Sequence, residues 1–227
     1  MERRQKHRFQ LHDTHATNKM TRSLLSYIVR YDSGFAPNPF HGYCTLATCK
    51  PRIRQHAQIG DWIVGTGSNA IGIRRRGNLV YAMRVTEILS TAEFWHDPRF
   101  EKKKPNLFYN WVMASGDNIY EPLGSGIWRQ LNSYHSHESG SRSEDHVTRD
   151  TGVERILVSD DFIYVGGEGP LLPAEFLDGG SFEIICPHRN YRRVRYEPTI
   201  VAFEGWISSL REFGFQGKPW DWVMRRA

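Results

Sequence analysis

The stretch from Gly60 to Leu89, GDWIVGTGSNAIGIRRRGNLVYAMRVTEIL, restricts the fold more than any other part of the chain. Trp62, Ile63 and Val64 form a short apolar run behind a Gly60-Asp61 turn, and Thr66-Gly67-Ser68 closes it with small residues. From Leu79 onward, Leu79, Tyr81, Met83 and Val85 alternate with Val80, Ala82 and Ile88. The two runs read as a β-hairpin, and apolar residues on both faces make its second strand a central one. The connecting loop carries Arg74, Arg75 and Arg76. Such a hairpin suits either the plain sheet of a small barrel or the wall and rim of a site for an anionic ligand.

The flanking segments complete an α+β pattern. Leu24 to Tyr31 is a β-branched and aromatic strand, and Phe35 to Gly42 is a loop because its two prolines, Pro37 and Pro39, forbid helix and ladder. Pro51 opens a helical turn through His56. Ser90-Thr91-Ala92-Glu93 is a capping box that starts a helix ending near His96, ahead of Asp97-Pro98. Arg99 to Asn106 reads as a basic surface loop, Tyr109 to Met113 as a strand, and Ser115 to Asp150 as a long polar loop. Val153 to Ser159 and Phe162 to Gly166 form a strand-turn-strand unit, and Ser181 to Cys186 is a further strand. A last helix at about 198–213 carries Ile200, Phe203, Ile207 and Leu210 on one stripe and packs as a lid. The expected architecture is one domain, residues 23–227, with a bent, mostly antiparallel sheet or partly open β-barrel and short flanking helices. A basic, mobile N-terminal arm at 1–22 precedes it.

Composition narrows the setting. With 39% hydrophobic residues, the 227-residue chain builds a core without staples. No apolar run approaches the roughly 20 residues of a membrane span, and the basic start lacks the apolar centre of a secretion signal. Three cysteines without a CxxC pair argue against a disulfide framework and a zinc knuckle, so a cytoplasmic protein is expected. The net charge of +5, gathered in clusters, suits a phosphate-bearing partner.

Taken together, YIVRYDSGFAPNPFHGYCTLATCKPRIR, GDWIVGTGS, LVYAMRVTEIL and DPRFEKKKP resemble the nucleotide modification associated domain 2 family. The resemblance runs from about Tyr27 to about Pro173 and includes DNIY, SYHSH, DHVTRDT and RILVSDDFIYVGG. It implies a bacterial or phage modification or defence system that modifies nucleic-acid bases or responds to modified ones, and it supplies no established reaction. A looser similarity, in the order of segments, links the chain to barrels of the pseudouridine-synthase-and-archaeosine-transglycosylase type (PUA-like), including EVE and YTH readers of modified bases.

Such a barrel would read an extruded base against aromatic faces. Tyr31, Tyr43 and Trp62 supply rings, Asn38 and Asp32 supply polar edges, and Thr66 and Ser68 suit base or phosphate. Arg52, Arg54, Arg74, Arg75, Arg76 and Lys103 are candidate phosphate contacts, as is the basic stretch from Arg189 to Arg195. The expected partner is nucleic acid, DNA ahead of RNA, or a modified nucleotide. A rival reading makes the chain a hydrolase or transferase acting through the cluster of His135, His137, Asp145, His146 and Asp150, with His137 or His146 as a general base beside Asp145. In an extended chain His-x-His puts both imidazoles on one side, so His135, His137 and His146 also suit a divalent metal such as Zn²⁺ or Mn²⁺, although no defined metal signature is present. A nucleotide-signal sensor is the third reading. Cys44 and Cys49 read as buried structural thiols, since no histidine is placed in sequence to suggest an activated thiolate.

Overall fold

The computed structural model describes residues 22–70, 73–187, 190–210 and 212–224. Strands β1 (Leu24–Val29) and β2 (Cys44–Leu46) and helix α1 (Pro51–His56) lead into the expected hairpin, formed by β3 (Trp62–Gly67) and β4 (Leu79–Arg84). In it Ile63 lies opposite Met83 and Gly65 opposite Tyr81. A Cβ on Gly65 would sit 2.4 Å from the Tyr81 ring, so this position in the strand requires glycine.

The remaining elements are β5 (Glu87–Leu89), α2 (Thr91–His96), a 3-10 turn (Pro98–Lys103), α3 (Trp111–Ala114), β6 (Tyr120–Gly124), β7 (Ile127–Gln130) and α4 (Glu144–Thr151). They are followed by β8 (Ile156–Ser159), β9 (Asp161–Tyr164), α5 (Ala174–Leu177), β10 (Arg192–Val194), α6 (Glu197–Ser209), β11 (Gly214–Phe215) and α7 (Trp220–Met224). The main sheet has the order β10-β1-β3-β4-β9-β11, with β1-β3 and β9-β11 parallel and the other pairs antiparallel. A three-stranded sheet, β2-β8-β5, lies apart, and β6-β7 form a ribbon. The fold is a single α+β domain whose sheets are open, not a closed barrel.

Both faces of the main sheet are buried, as its two alternating apolar sets require. Leu25, Tyr27, Ile63, Tyr81, Met83 and Phe162 pack toward the small sheet through Leu46 and Leu157. Leu24, Trp62, Val64, Ala82 and Ile163 pack against Ile200, Phe203 and Ile207 of α6, the expected covering helix. Beyond the small sheet, Val158 and Ile156 meet Phe94 and Phe100, which makes four layers.

Several expectations differ from the structure for local reasons. Leu79 to Leu89 is not one strand: Val85 N–H bonds the Asp61 carbonyl and Thr86 N–H the Val158 carbonyl, which carries β5 into the small sheet. β8 and β9 likewise belong to different sheets, despite only Asp160 between them. Tyr109–Met113 is not a strand, because the Asn110 side chain caps α3 through Met113 N–H at 2.9 Å. The segment Ser115–Asp150 holds β6, β7 and α4 in place of a loop. Ser181–Cys186 pairs in no ladder, although Ile184, Ile185 and Cys186 are buried. The last helix ends at Ser209, short of 213. The arm at 1–21 and Arg189 lie outside the described residues, while Arg22 pairs with Glu197 and Glu204 on α6. Among the described residues no helix is long and apolar enough to cross a membrane.

Candidate active site

A cleft of about 320 Å³ opens where the end of β1, the exit of β2 and the segment before α4 meet. Cys49 and Lys50 enter it on two successive left-handed residues, with φ of 56° and 40°. Side chains other than Gly, Asn and Asp rarely adopt that conformation, and it costs about 1–3 kcal/mol per residue when the surroundings enforce it. Arg54 does the enforcing. It is fully buried and donates to the carbonyls of Cys49 (3.0 Å), Asp150 (2.6 Å), Val153 (2.8 Å) and Arg155 (3.2 Å), which ties the cysteine loop to the end of α4.

His135 Nε2 lies 3.3 Å from Cys49 Sγ, and His135 Nδ1 lies 2.6 Å from Asp150 Oδ2. Tyr120 Oη donates to the same carboxylate oxygen at 2.9 Å, while Cys49 N–H (3.0 Å) and Arg149 Nε (2.9 Å) donate to Asp150 Oδ1. Burial alone would raise the Asp150 pKa, but the hydrogen bonds and charges of His135 and Arg149 hold it well below the ordinary carboxylate range. An ionised Asp150 fixes the proton of neutral His135 on Nδ1 and leaves the Nε2 lone pair facing the thiol.

The imidazole itself is anchored. The His135 backbone carbonyl accepts from Gln130 Nε2 (3.0 Å) and His146 Nδ1 (2.6 Å), and Phe35 packs edge-on against the ring at 4.6 Å. Burial pushes the His135 pKa down, with Arg149 and His146 adding to that and Asp150 opposing it. Burial also raises the Cys49 pKa, as does Asp150, against the cations Arg149, Lys50 and Arg54. The resting pair is therefore a neutral thiol and a neutral imidazole, arranged for general-base transfer at the moment of attack.

Of the residues expected to act, the structure brings His135 and Asp150 to this centre, and His146 supports them. His137 and Asp145 are exposed, because the chain turns at Ser133–Ser136 and does not run extended. Among the described residues no group of three or more His, Cys, Asp or Glu side chains is placed to hold a metal ion. Cys49, expected as a structural thiol, is the member that sequence reasoning missed, and Asp150, expected within the cluster, takes the place beside the histidine that was given to Asp145. They lie 86 and 15 residues from His135, and only the Lys50-Pro51 step after Cys49 hints at a constrained turn.

The expected base pocket is dispersed. Trp62 is buried against Phe203 with its Nε1 on Glu204 (3.0 Å), and Thr66 and Ser68 are buried along and just beyond β3. Asn38 is buried and accepts from Lys103, while Tyr43 stacks edge-on with Phe100. Asp32 is buried under Tyr164 Oη and the Trp220 N–H, and burial raises its pKa to about 6. Tyr31 alone is exposed beside the cleft. Among the cations, Arg52, Arg74 and Arg76 are at the surface. Arg54, Arg75 and Lys103 are inside, where backbone carbonyls take up their donors: Arg75 bonds those of Gly166 and Gly169.

Comparison with curated proteins and with solved structures returned no match. The family model described as nucleotide modification associated domain 2 matches residues 21–226, nearly the whole chain, and includes every residue of the cleft. The chain belongs to the nucleotide modification associated domain 2 family.

Proposed function

We propose that this chain is a cysteine-dependent hydrolase or transferase of a nucleotide modification system. The observation that carries the reading is the aligned Cys49–His135–Asp150 relay, with Sγ to Nε2 at 3.3 Å and Nδ1 to Oδ2 at 2.6 Å, opening on a cleft. The nucleotide setting rests on the family.

In this reading His135 Nε2 takes the thiol proton as Sγ attacks an electrophilic carbon of the substrate, a carbonyl or amidine carbon. The C–S bond forms as the π pair moves to the heteroatom. Collapse expels an amine or alcohol, which receives the proton from His135. Water or an acceptor nucleophile, deprotonated by His135, then attacks the thioester-like intermediate and restores the thiol. Asp150 holds the tautomer and steadies the imidazolium without touching substrate. A second reading, binding without chemistry, is favoured by a separate aromatic groove of about 690 Å³ lined by Tyr109, Trp111, Trp222 and Lys218, where bases can stack.

One experiment separates them. Purified protein is incubated with pooled modified and unmodified nucleotides and oligonucleotides, and products and Cys49 adducts are followed by mass spectrometry. The enzyme reading expects product with wild type and a loss of at least about 10³-fold with Cys49→Ala. Equal product from Cys49→Ala, or nucleotide association with no product from either protein, overturns it.

A further inference from the structure

We infer that the cleft beside Cys49 takes one phosphorylated nucleoside unit, with the Lys50 ammonium as its phosphate anchor and Tyr31 and Tyr134 as its base-stacking rings. The inference rests on the proposed role of Cys49 only for what happens after binding.

Lys50 is the pointer. It is partly buried in the cleft wall, its Nζ lies 4.4 Å from the centre of the Tyr27 ring, and among the described residues no carboxylate pairs with it. The other cations near the thiol are committed: Arg54 to four carbonyls, Arg149 to Asp150. Burial lowers the Lys50 pKa, which is the signature of a desolvated ammonium without a counter-charge. No described Asp or Glu side chain lines the cleft, and Arg30, at its rim over the Tyr31 ring at 5.2 Å, adds a second positive charge. A dianionic phosphate supplies what this wall lacks.

Size and apolar content set the rest of the ligand. About 320 Å³ is near the lower end of the roughly 300–1,000 Å³ range of small-molecule sites, enough for one nucleotide and too little for a stacked duplex. Tyr31 and Tyr134 keep 68% and 39% of their surface exposed at the mouth, and Phe35 braces Tyr134 at 5.7 Å between ring centres. Exposed, oriented tyrosines accept a base face at little entropic cost. A free mononucleotide and a nucleotide extruded from a strand share this chemistry.

The test uses Cys49→Ala, so that binding is read without turnover. Calorimetric titrations compare the four common 2′-deoxynucleoside 5′-monophosphates, the matching nucleosides, inorganic phosphate and a 5′-phosphorylated tetranucleotide. Mononucleotides are expected to bind at least tenfold tighter than nucleosides. Adding Lys50→Gln should weaken the mononucleotides at least tenfold and leave the nucleosides unchanged, while Lys50→Arg retains most of the affinity and circular dichroism confirms the fold. A tetranucleotide that binds as well as the monomers points to a strand as the source; one that binds more than tenfold worse points to the free nucleotide. Equal affinity for nucleosides and nucleotides, or no effect of Lys50→Gln, overturns the inference. A Cys49-independent wild-type activity would sink the catalytic reading and leave this one standing.

Discussion

Residues 38 to 50 join two buried polar centres of opposite character. At one end Lys103, with no exposed surface, donates to the Asn38 carbonyl (3.1 Å), Asn38 Oδ1 (2.6 Å) and the Tyr43 carbonyl (3.0 Å). All three ammonium donors are used, and Thr45 Oγ1 serves Asp117 Oδ2 at 2.6 Å close by. At the other end the relay from Asp150 through His135 stops at a thiol beside open space and Lys50, which rests on the Tyr27 ring and pairs with no described carboxylate. The first centre spends every donor of its ammonium, leaves only Asp117 Oδ1 without a hydrogen bond, and holds the chain around β2 to the 3-10 turn. The second ends on a sulfur that lines the cleft with a base behind it, which is what a reacting group requires. A buried charge alone therefore does not mark a site; a buried relay with an open end does.

The largest expected effect breaks the open centre. Asp150→Asn removes the charged acceptor of His135 Nδ1–H, so the tautomer with Nε2 facing the thiol is no longer favoured. Turnover is expected to fall on the order of 10²–10⁴-fold. Asp150 acts through His135, so the decisive readout is the pH profile of Cys49 alkylation. It should lose its histidine-dependent limb in the variant, and an unchanged profile would break the assignment.

Next in size is the closed centre. Lys103→Met leaves Asp117 buried without its nearby cation and takes one donor each from the Asn38 carbonyl, Asn38 Oδ1 and the Tyr43 carbonyl. The expected loss is about 3–5 kcal/mol in urea unfolding. Cys49→Ala, on the same stretch, should change stability by only about 1 kcal/mol while removing the thiol chemistry. Similar losses in both variants would erase the distinction between a holding centre and a reacting one.

This distinction was only half legible in the sequence. The hairpin, the capping box at Ser90, where Glu93 N–H reaches Ser90 Oγ at 3.1 Å, and the α6 stripe follow from local periodicity and cap chemistry, and they stand in the structure. Local pattern cannot say which sheet a strand joins, so it does not separate β5 and β8 of the small sheet from β4 and β9 of the main one. Nor does it show that Lys103, within a run of three lysines, turns inward, because a 3-10 turn points successive side chains in different directions. The relay is less legible still. It is assembled from Cys49, His135 and Asp150 by Arg54, which looks like one more surface cation until its four carbonyl partners are seen. His135 and Asp150 are visible in sequence as members of one polar cluster, but Cys49, 86 residues from His135, joins them only through the fold.

The last comparison sets two carboxylates against each other. Asp117 and Asp150 are both buried, but burial raises the Asp117 pKa to about 6, Lys103 opposing, whereas hydrogen bonds to His135 and Arg149 hold Asp150 well below its ordinary value. Their contributions to stability therefore run in opposite directions with pH. The folded protein binds a proton at Asp117 more tightly than the unfolded chain does, so this group's contribution is fully present below about pH 4 and is lost as pH rises from about 4 to 6. For Asp150 the unfolded chain binds the proton more tightly. Its contribution is present above the unfolded value and is lost as pH falls through the depressed one. Urea unfolding at pH 4.5 and pH 7 should therefore show the stability of wild type relative to Asp117→Asn shrinking toward pH 7, by at most about 3 kcal/mol. The stability relative to Asp150→Asn should hold or grow over the same interval. If both differences moved in the same direction, the two carboxylates would share one electrostatic environment, and the contrast between a closed and an open centre would fail at its simplest measurable point.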